Sequence, residues 1–189
     1  LAKSGSIPVI NGLTDYCHPC QVLADLMTIR EYKGSFKNLK LCFIGDGNNM
    51  ANSLIAGCVK TGMKISVASP SGFKPDEELV KWGEESGLLT LTSDPFEAAE
   101  NADVIYTDVW ASMGQEGEAE ERKKAFKSYQ VNDDIMNVAK KDAIVLHCLP
   151  AHRGEEITEK VFEEHASEIF DEAENRLHAQ KAVLVKLLG

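Results

Sequence analysis

Leu39-Lys40-Leu41-Cys42-Phe43-Ile44-Gly45-Asp46-Gly47-Asn48-Asn49 is the stretch from which the fold is read. Its first six residues form a short apolar run that suits a buried strand, and the glycines behind it break the run into a turn. Beyond the turn, Met50, Leu54 and Cys58 recur at four-residue spacing, with Ala51, Ile55 and Val59 beside them, as on one packed stripe of a helix. Gly62 ends that helix, and Lys64-Ile65-Ser66-Val67-Ala68 is the next strand. A strand, a crossover helix and a second strand make a parallel βαβ unit.

Toward the C-terminus the alternation continues. Pro75 opens a polar helix to about Glu85, and Leu88 to Leu91 reads as strand. Asp94-Pro95-Phe96-Glu97 has a capping Asp, Pro at the first helical position and Glu at the third. Ala102 to Thr107 is strand, Asp108 to Gly114 is loop, and Gln115 to Arg122 is an acidic segment. Helices are expected over Lys123 to Tyr129 and Asp134 to Lys140, and a strand over Ala143 to Leu146. Thr158 caps a helix to about His165, Ile169-Phe170 reads as a short strand, and a final helix runs from Glu172 to Leu188 with Leu177, Leu184 and Leu188 on one face. Toward the N-terminus, Ile7 to Asn11 is a strand candidate. A helix from Pro19 to about Tyr32 would bury Leu23, Leu26, Met27 and Ile29 and stop at Gly34. The expectation is an α/β fold: a doubly wound, Rossmann-like parallel sheet of about five strands flanked by helices. Residues 37–168 form the domain proper. Residues 1–36 and 169–189 read as parts that belong to a second domain, most of which lies outside this sequence.

The 189 residues carry a formal net charge of −10 and a pI near 5.0, which argues against nucleic acid as a partner. No apolar run reaches the length of a membrane span. Five scattered cysteines suit free thiols in a reducing compartment, hence a cytoplasmic protein.

Several clusters carry chemistry. His147-Cys148-Leu149-Pro150-Ala151-His152-Arg153-Gly154 follows a strand, where an open α/β sheet places its ligand crevice. Cys17-His18-Pro19-Cys20 opens a helix. It is compatible with a redox pair, with a capped helix start bearing incidental thiols, or with His18 and Gln21 as polar groups on the first helical turn, where free N–H groups favour an anion or carbonyl oxygen. A zinc site lacks the second ligand pair it needs. Gly45 to Asn49 stands where a dinucleotide fingerprint would, but position 50 is Met and no acidic residue ends the following strand. The two asparagines instead suit an amino-acid carboxylate, and a tight turn needing glycine accounts for the rest. Asp108 beside Ser112-Met113-Gly114 suits an ammonium group as well as it suits a capped or solvated loop.

Taken together, His18-Pro19-Cys20-Gln21, Gly45 to Asn49, Asp108 to Gly114, His147-Cys148-Leu149-Pro150 and Glu174-Asn175-Arg176 resemble the ornithine carbamoyltransferase family, in its order and over nearly the whole chain. The resemblance implies attack of the side-chain amine of L-ornithine on carbamoyl phosphate, giving citrulline and phosphate. It implies that His18, Gln21, Cys148, Leu149 and Arg176 bind carbamoyl phosphate and that Asn49, Asp108, Ser112 and Met113 bind ornithine. Cys148, Asp108 and His18 would be catalytic, with no metal or organic cofactor, and the whole protein would be a homotrimer. One departure matters. The family's phosphate-binding Ser-Thr-Arg-Thr loop is absent from this sequence, so the chain alone is expected to turn over little or nothing. The competing expectations are a thiol-disulfide oxidoreductase using Cys17 and Cys20, a non-catalytic amino-acid-binding module, and a carbamoyltransferase acting on putrescine.

Overall fold

A computed structural model describes residues 1–111 and 119–189. Five parallel strands, β1 (Lys40–Ile44), β2 (Lys64–Ala68), β3 (Leu89–Thr92), β4 (Val104–Thr107) and β5 (Ile144–His147), form one sheet in the order β3-β2-β1-β4-β5. The chain winds outward from β1 to β3, then returns to place β4 on the other side of β1. That reversal makes the gap between the carboxyl ends of β1 and β4 the topological switch point, where such sheets bind ligands.

Alternation along each strand feeds two cores. Leu41 and Phe43 of β1 enter one apolar cluster with Leu54 and Ile55, while Cys42 and Ile44 enter a second with Phe126 and Ile157. Helices α1 (Pro19–Lys33), α2 (Asn49–Thr61) and α3 (Glu77–Glu85) lie with the first cluster, and α8 (Ala166–Leu188) packs along α1 while its Ile169 enters the second. Helices α4 (Pro95–Ala99), α5 (Ala119–Phe126), α6 (Asp133–Val138) and α7 (Glu159–Glu164) lie with the second. Local caps set the helix starts: Asn48 accepts from Met50 N–H, Asp76 from Glu78 and Leu79 N–H, Asp94 from Phe96 and Glu97 N–H, and Thr158 from Val161 N–H.

Three local expectations are corrected. Ile7 to Asn11 forms no strand and pairs with neither edge of the sheet, and Ile7, Val9 and Ile10 are exposed. Ile169-Phe170 lies inside α8, where Ile169 is buried and Phe170 faces out, as helical rather than strand geometry dictates. The helix faces also differ. Leu23 on α1 and Leu177, Leu184 and Leu188 on α8 are exposed, while Gln21, Asp25 and Thr28 of α1 meet Glu172 and Asn175 of α8. The helices meet through a polar seam; Ile29 is buried and Leu26 packs against the core as expected, so apolar spacing found part of the α1 face and missed the face of α8.

Candidate active site

The turn after β1 is shaped by close approach. A Cβ at Gly47 would stand 2.2 Å from Lys74 C and Pro75 N, because the 73–75 segment crosses directly over it. Gly47 N–H donates to Phe73 O at 2.8 Å, which fixes that crossing. The glycine therefore serves a packed turn, and the space in which a dinucleotide's phosphates would approach is filled by protein.

Three strand ends bring their side chains to one cavity of about 330 Å³. Asn49 opens α2 after β1, Asp108 follows β4, and Cys148 and Leu149 follow β5; Leu13, Thr14 and His18 close the near side. Asn49 Nδ2 donates to Thr14 O at 2.8 Å, tying the 12–15 loop to the turn. Asp108 Oδ1 accepts from Val109 N–H at 2.8 Å and from Cys148 Sγ at 3.1 Å. Asn48 Nδ2 reaches Asp108 Oδ2 at 3.4 Å. Burial first, then the Asp108 charge and hydrogen bond, push the Cys148 thiol well above its ordinary pKa. Cys148 is therefore a protonated donor held by the Asp108 carboxylate. Leu149 takes a left-handed φ of 54° and its bond to Pro150 is cis. Its N–H donates to His147 Nδ1 at 2.9 Å, so the proton of the neutral ring sits on Nε2, which reaches Glu156 Oε1 at 3.1 Å. His147 is buried and supports the loop rather than lining the cavity.

A second cavity of about 410 Å³ adjoins the first, with His18 and Leu13 common to both. Arg176 of α8 stands in its wall with His18 and Cys20. His18 caps α1; its backbone N–H donates to Ser53 Oγ at 2.7 Å and its Nδ1 donates to Gly12 O at 2.6 Å. Burial is the main cause holding its pKa below the usual histidine value, and Arg176 acts in the same direction. With Nδ1 committed, the neutral ring presents Nε2 as an acceptor, which suits an amide N–H. Donating to a carbonyl oxygen would take a second proton.

Gln21 is fully buried and lines neither cavity; its Nε2 donates to Asp25 Oδ1 at 2.9 Å and Glu172 Oε1 at 3.0 Å. Ser112 and Met113 lie outside the described residues. Cys17 and Cys20 are free thiols. Sequence reasoning missed the 12–15 loop as a cavity wall and missed Glu156, a buried carboxylate eight residues past Cys148. The loop's adjacency to His18 was the one signal available; Glu156 sits in a polar run that gives none.

Residues 37–187 match the family model described as "Aspartate/ornithine carbamoyltransferase, Asp/Orn binding domain", and residues 1–31 match its "carbamoyl-P binding domain". An ornithine carbamoyltransferase of Pyrococcus abyssi is 57% identical over 194 residues, covering 100% of this chain and 61% of that relative. One from Archaeoglobus fulgidus is 57% identical over 189 residues, covering 100% and 62%. The solved ornithine carbamoyltransferase of Pyrococcus furiosus superposes with a TM-score of 0.89 at 55% identity, over 97% of this chain and 60% of that one. That of Gloeobacter violaceus gives 0.90 at 53% identity, over 100% and 65%. The chain thus spans about 61% of the length of such relatives.

Proposed function

We propose that this chain, which belongs to the aspartate/ornithine carbamoyltransferase family, supplies the ornithine half of an active site for carbamoyl transfer. The observation that carries the reading is the meeting of Asn49, Asp108 and Cys148–Leu149 in one cavity, with His18 as the wall it shares with the Arg176 cavity. Two adjoining cavities with one shared wall suit two small substrates reacting across it. L-Ornithine occupies the first, its α-carboxylate toward Asn49 and its ammonium toward Asp108, with Ser112 and Met113 completing the hold. Carbamoyl phosphate occupies the second, its phosphate near Arg176 and its carbamoyl group near His18 and the Cys148–Leu149 backbone, with Gln21 behind that wall.

The side-chain amine of ornithine must arrive unprotonated. Its nitrogen forms the new bond to the carbamoyl carbon, the carbon–oxygen bond to phosphate breaks, and phosphate leaves with that electron pair. The proton lost from the amine passes to a nearby anion, Asp108 or the departing phosphate. Cys148, a protonated thiol, stabilises by donating, not by acting as a base. Positioning of two bound reactants supplies much of the rate, and no metal or organic cofactor enters. A substrate that keeps its α-carboxylate and α-amino groups explains why an asparagine and an aspartate face one cavity, and favours ornithine over putrescine.

The Ser-Thr-Arg-Thr phosphate loop of the family does not occur in the sequence. The chain alone is therefore proposed to turn over little or nothing. In the whole protein, α1 and α8 adjoin the carbamoyl-phosphate domain within a cytoplasmic homotrimer. The test is citrulline formation by these 189 residues and by the same residues preceded by the family's carbamoyl-phosphate-binding domain. Citrulline is expected from the second only. None from either refutes the reaction; equal turnover by both refutes the need for the phosphate loop. A preference for putrescine over ornithine overturns the substrate assignment.

A further inference from the structure

The polar seam between α1 and α8 contains two carboxyl groups that the proposed chemistry does not use. Asp25 and Glu172 are both fully buried, at 0% exposure. Glu172 Oε1 accepts from Gln21 Nε2 and from the Tyr106 hydroxyl, each at 3.0 Å, and Glu172 Oε2 accepts the His147 backbone N–H at 2.8 Å. Asp25 Oδ1 accepts from Gln21 Nε2 at 2.9 Å, while its Oδ2 has no donor. The two carboxyl groups thus share the Gln21 amide nitrogen as a donor. Two carboxylates gathered on one buried amide repel each other unless one of them carries a proton.

The groups bearing on the pair give the same answer. They are Tyr106 from β4, His147 and Cys148 from the end of β5, and Cys58 from α2. His147 accepts the Leu149 N–H at Nδ1 and so belongs to the same hydrogen-bonded unit. Two anions buried side by side would be costly, whereas one shared proton removes the conflict. Asp25 Oδ2, the oxygen without a donor, is the place for it. Burial and the neighbouring Glu172 raise Asp25 well above the usual carboxylate range. Glu172 is also raised by burial, but the hydrogen bonds from Asp25, His147 and Tyr106 oppose that rise.

We propose that Asp25 and Glu172 are positioning residues for carbamoyl transfer, a buried acid–carboxylate pair that fixes the Gln21 amide on α1 and the His147 backbone at the end of β5 in one hydrogen-bonded unit. This rests on the reaction proposed above. Both Gln21 N–H bonds are spent on the pair, which ties the first turn of α1, next to His18, to α8, the helix that carries Arg176. The same Glu172 holds the backbone that leads into Cys148 and Leu149. One buried anion thus sets the spacing between the carbamoyl side and the amine side.

The proton is tested first, on this chain without kinetics. Its infrared spectrum at neutral pH should show the carbonyl band of a buried protonated carboxyl group, and Asp25→Asn should remove it. Absence of the band in the wild-type chain overturns the shared proton. The positioning role is tested in the whole enzyme, carrying the carbamoyl-phosphate domain. Asp25→Asn keeps a neutral side chain that can still donate and should leave both KM values within about twofold of wild type. Glu172→Gln replaces an anion that gathers three donors on two oxygens with an amide whose single oxygen cannot, and should raise KM for carbamoyl phosphate about tenfold or more. Equal effects of the two substitutions, or a loss of thermal stability with unchanged KM in both, overturns positioning while citrulline formation by wild type leaves the reaction standing. A wild type that forms no citrulline overturns the reaction and the positioning role together.

Discussion

Gly47→Ala is expected to unsettle the turn that carries Asn48 and Asn49. The added methyl would lie 2.2 Å from Lys74 C and Pro75 N and 2.5 Å from Phe73 O. These are backbone atoms, which cannot rotate away. The segment they belong to is held by the Gly47–Phe73 hydrogen bond of 2.8 Å and by Asp76 N–H donating to Asn52 Oδ1 at 2.9 Å. The Phe73 ring is also set edge-on against Phe126 with centroids 4.9 Å apart. Restoring ordinary contact takes a relative shift of roughly 1 Å or more, which strains or breaks the first of those bonds. Overpacking costs about 1–3 kcal/mol and the lost hydrogen bond about 1 more, so the expected destabilisation is about 2–4 kcal/mol. For a chain of this size that lowers Tm by roughly 5–15 °C. Gly62→Ala is the control: its φ of +73° strains an alanine, but nothing lies within 4 Å of the new methyl, and about 1–2 kcal/mol is expected. Urea unfolding followed by circular dichroism measures both variants. A Gly47→Ala loss no larger than that of Gly62→Ala would show that the crossing segment gives way freely and would refute the reasoning.

Asp108→Asn removes the anion that holds the Cys148 thiol, and in the whole enzyme citrulline formation should fall by about 100-fold or more with the fold intact; activity within tenfold of wild type would contradict the assignment. The same substitution lowers the thiol pKa, so alkylation of Cys148 at neutral pH, mapped by mass spectrometry to separate it from Cys17, should speed up rather than slow down. His18 is held neutral in the folded state by a pKa below its unfolded value of 6.5. Its contribution to stability is therefore present above 6.5 and is lost as pH falls through the folded pKa, because the unfolded chain takes up the proton first. An NMR titration giving His18 a pKa above 6.5 would reverse that sign. Asp94→Ala removes the side chain that accepts from Phe96 and Glu97 N–H and should cost about 1 kcal/mol in chemical unfolding, while leaving amino-acid binding unchanged.

The order of strands and helices was legible because it is written in features that need no partner. Apolar runs gave all five strands, and capping side chains at Asp94 and Thr158 marked helix starts that the structure confirms through their hydrogen bonds. Residues just past β1, β4 and β5 could be singled out because a parallel sheet gathers its strand ends at one edge. The polar seam could not be read this way. In α1 the polar Gln21, Asp25 and Thr28 are buried alongside apolar Val22 and Ile29, and the leucine at position 23 faces out. Apolar spacing assumes that burial means apolar burial, and it fails where two helices meet through hydrogen bonds satisfied only by residues far away in sequence. Glu172 is the case in point: its partners Gln21, Tyr106 and His147 come from α1, β4 and β5, and nothing near position 172 announces any of them. A buried carboxylate with that many donors is over-determined in position, so it can be used to fix other groups. The part of the site that local sequence could not show is therefore the part that holds Gln21 and His147 in one geometry.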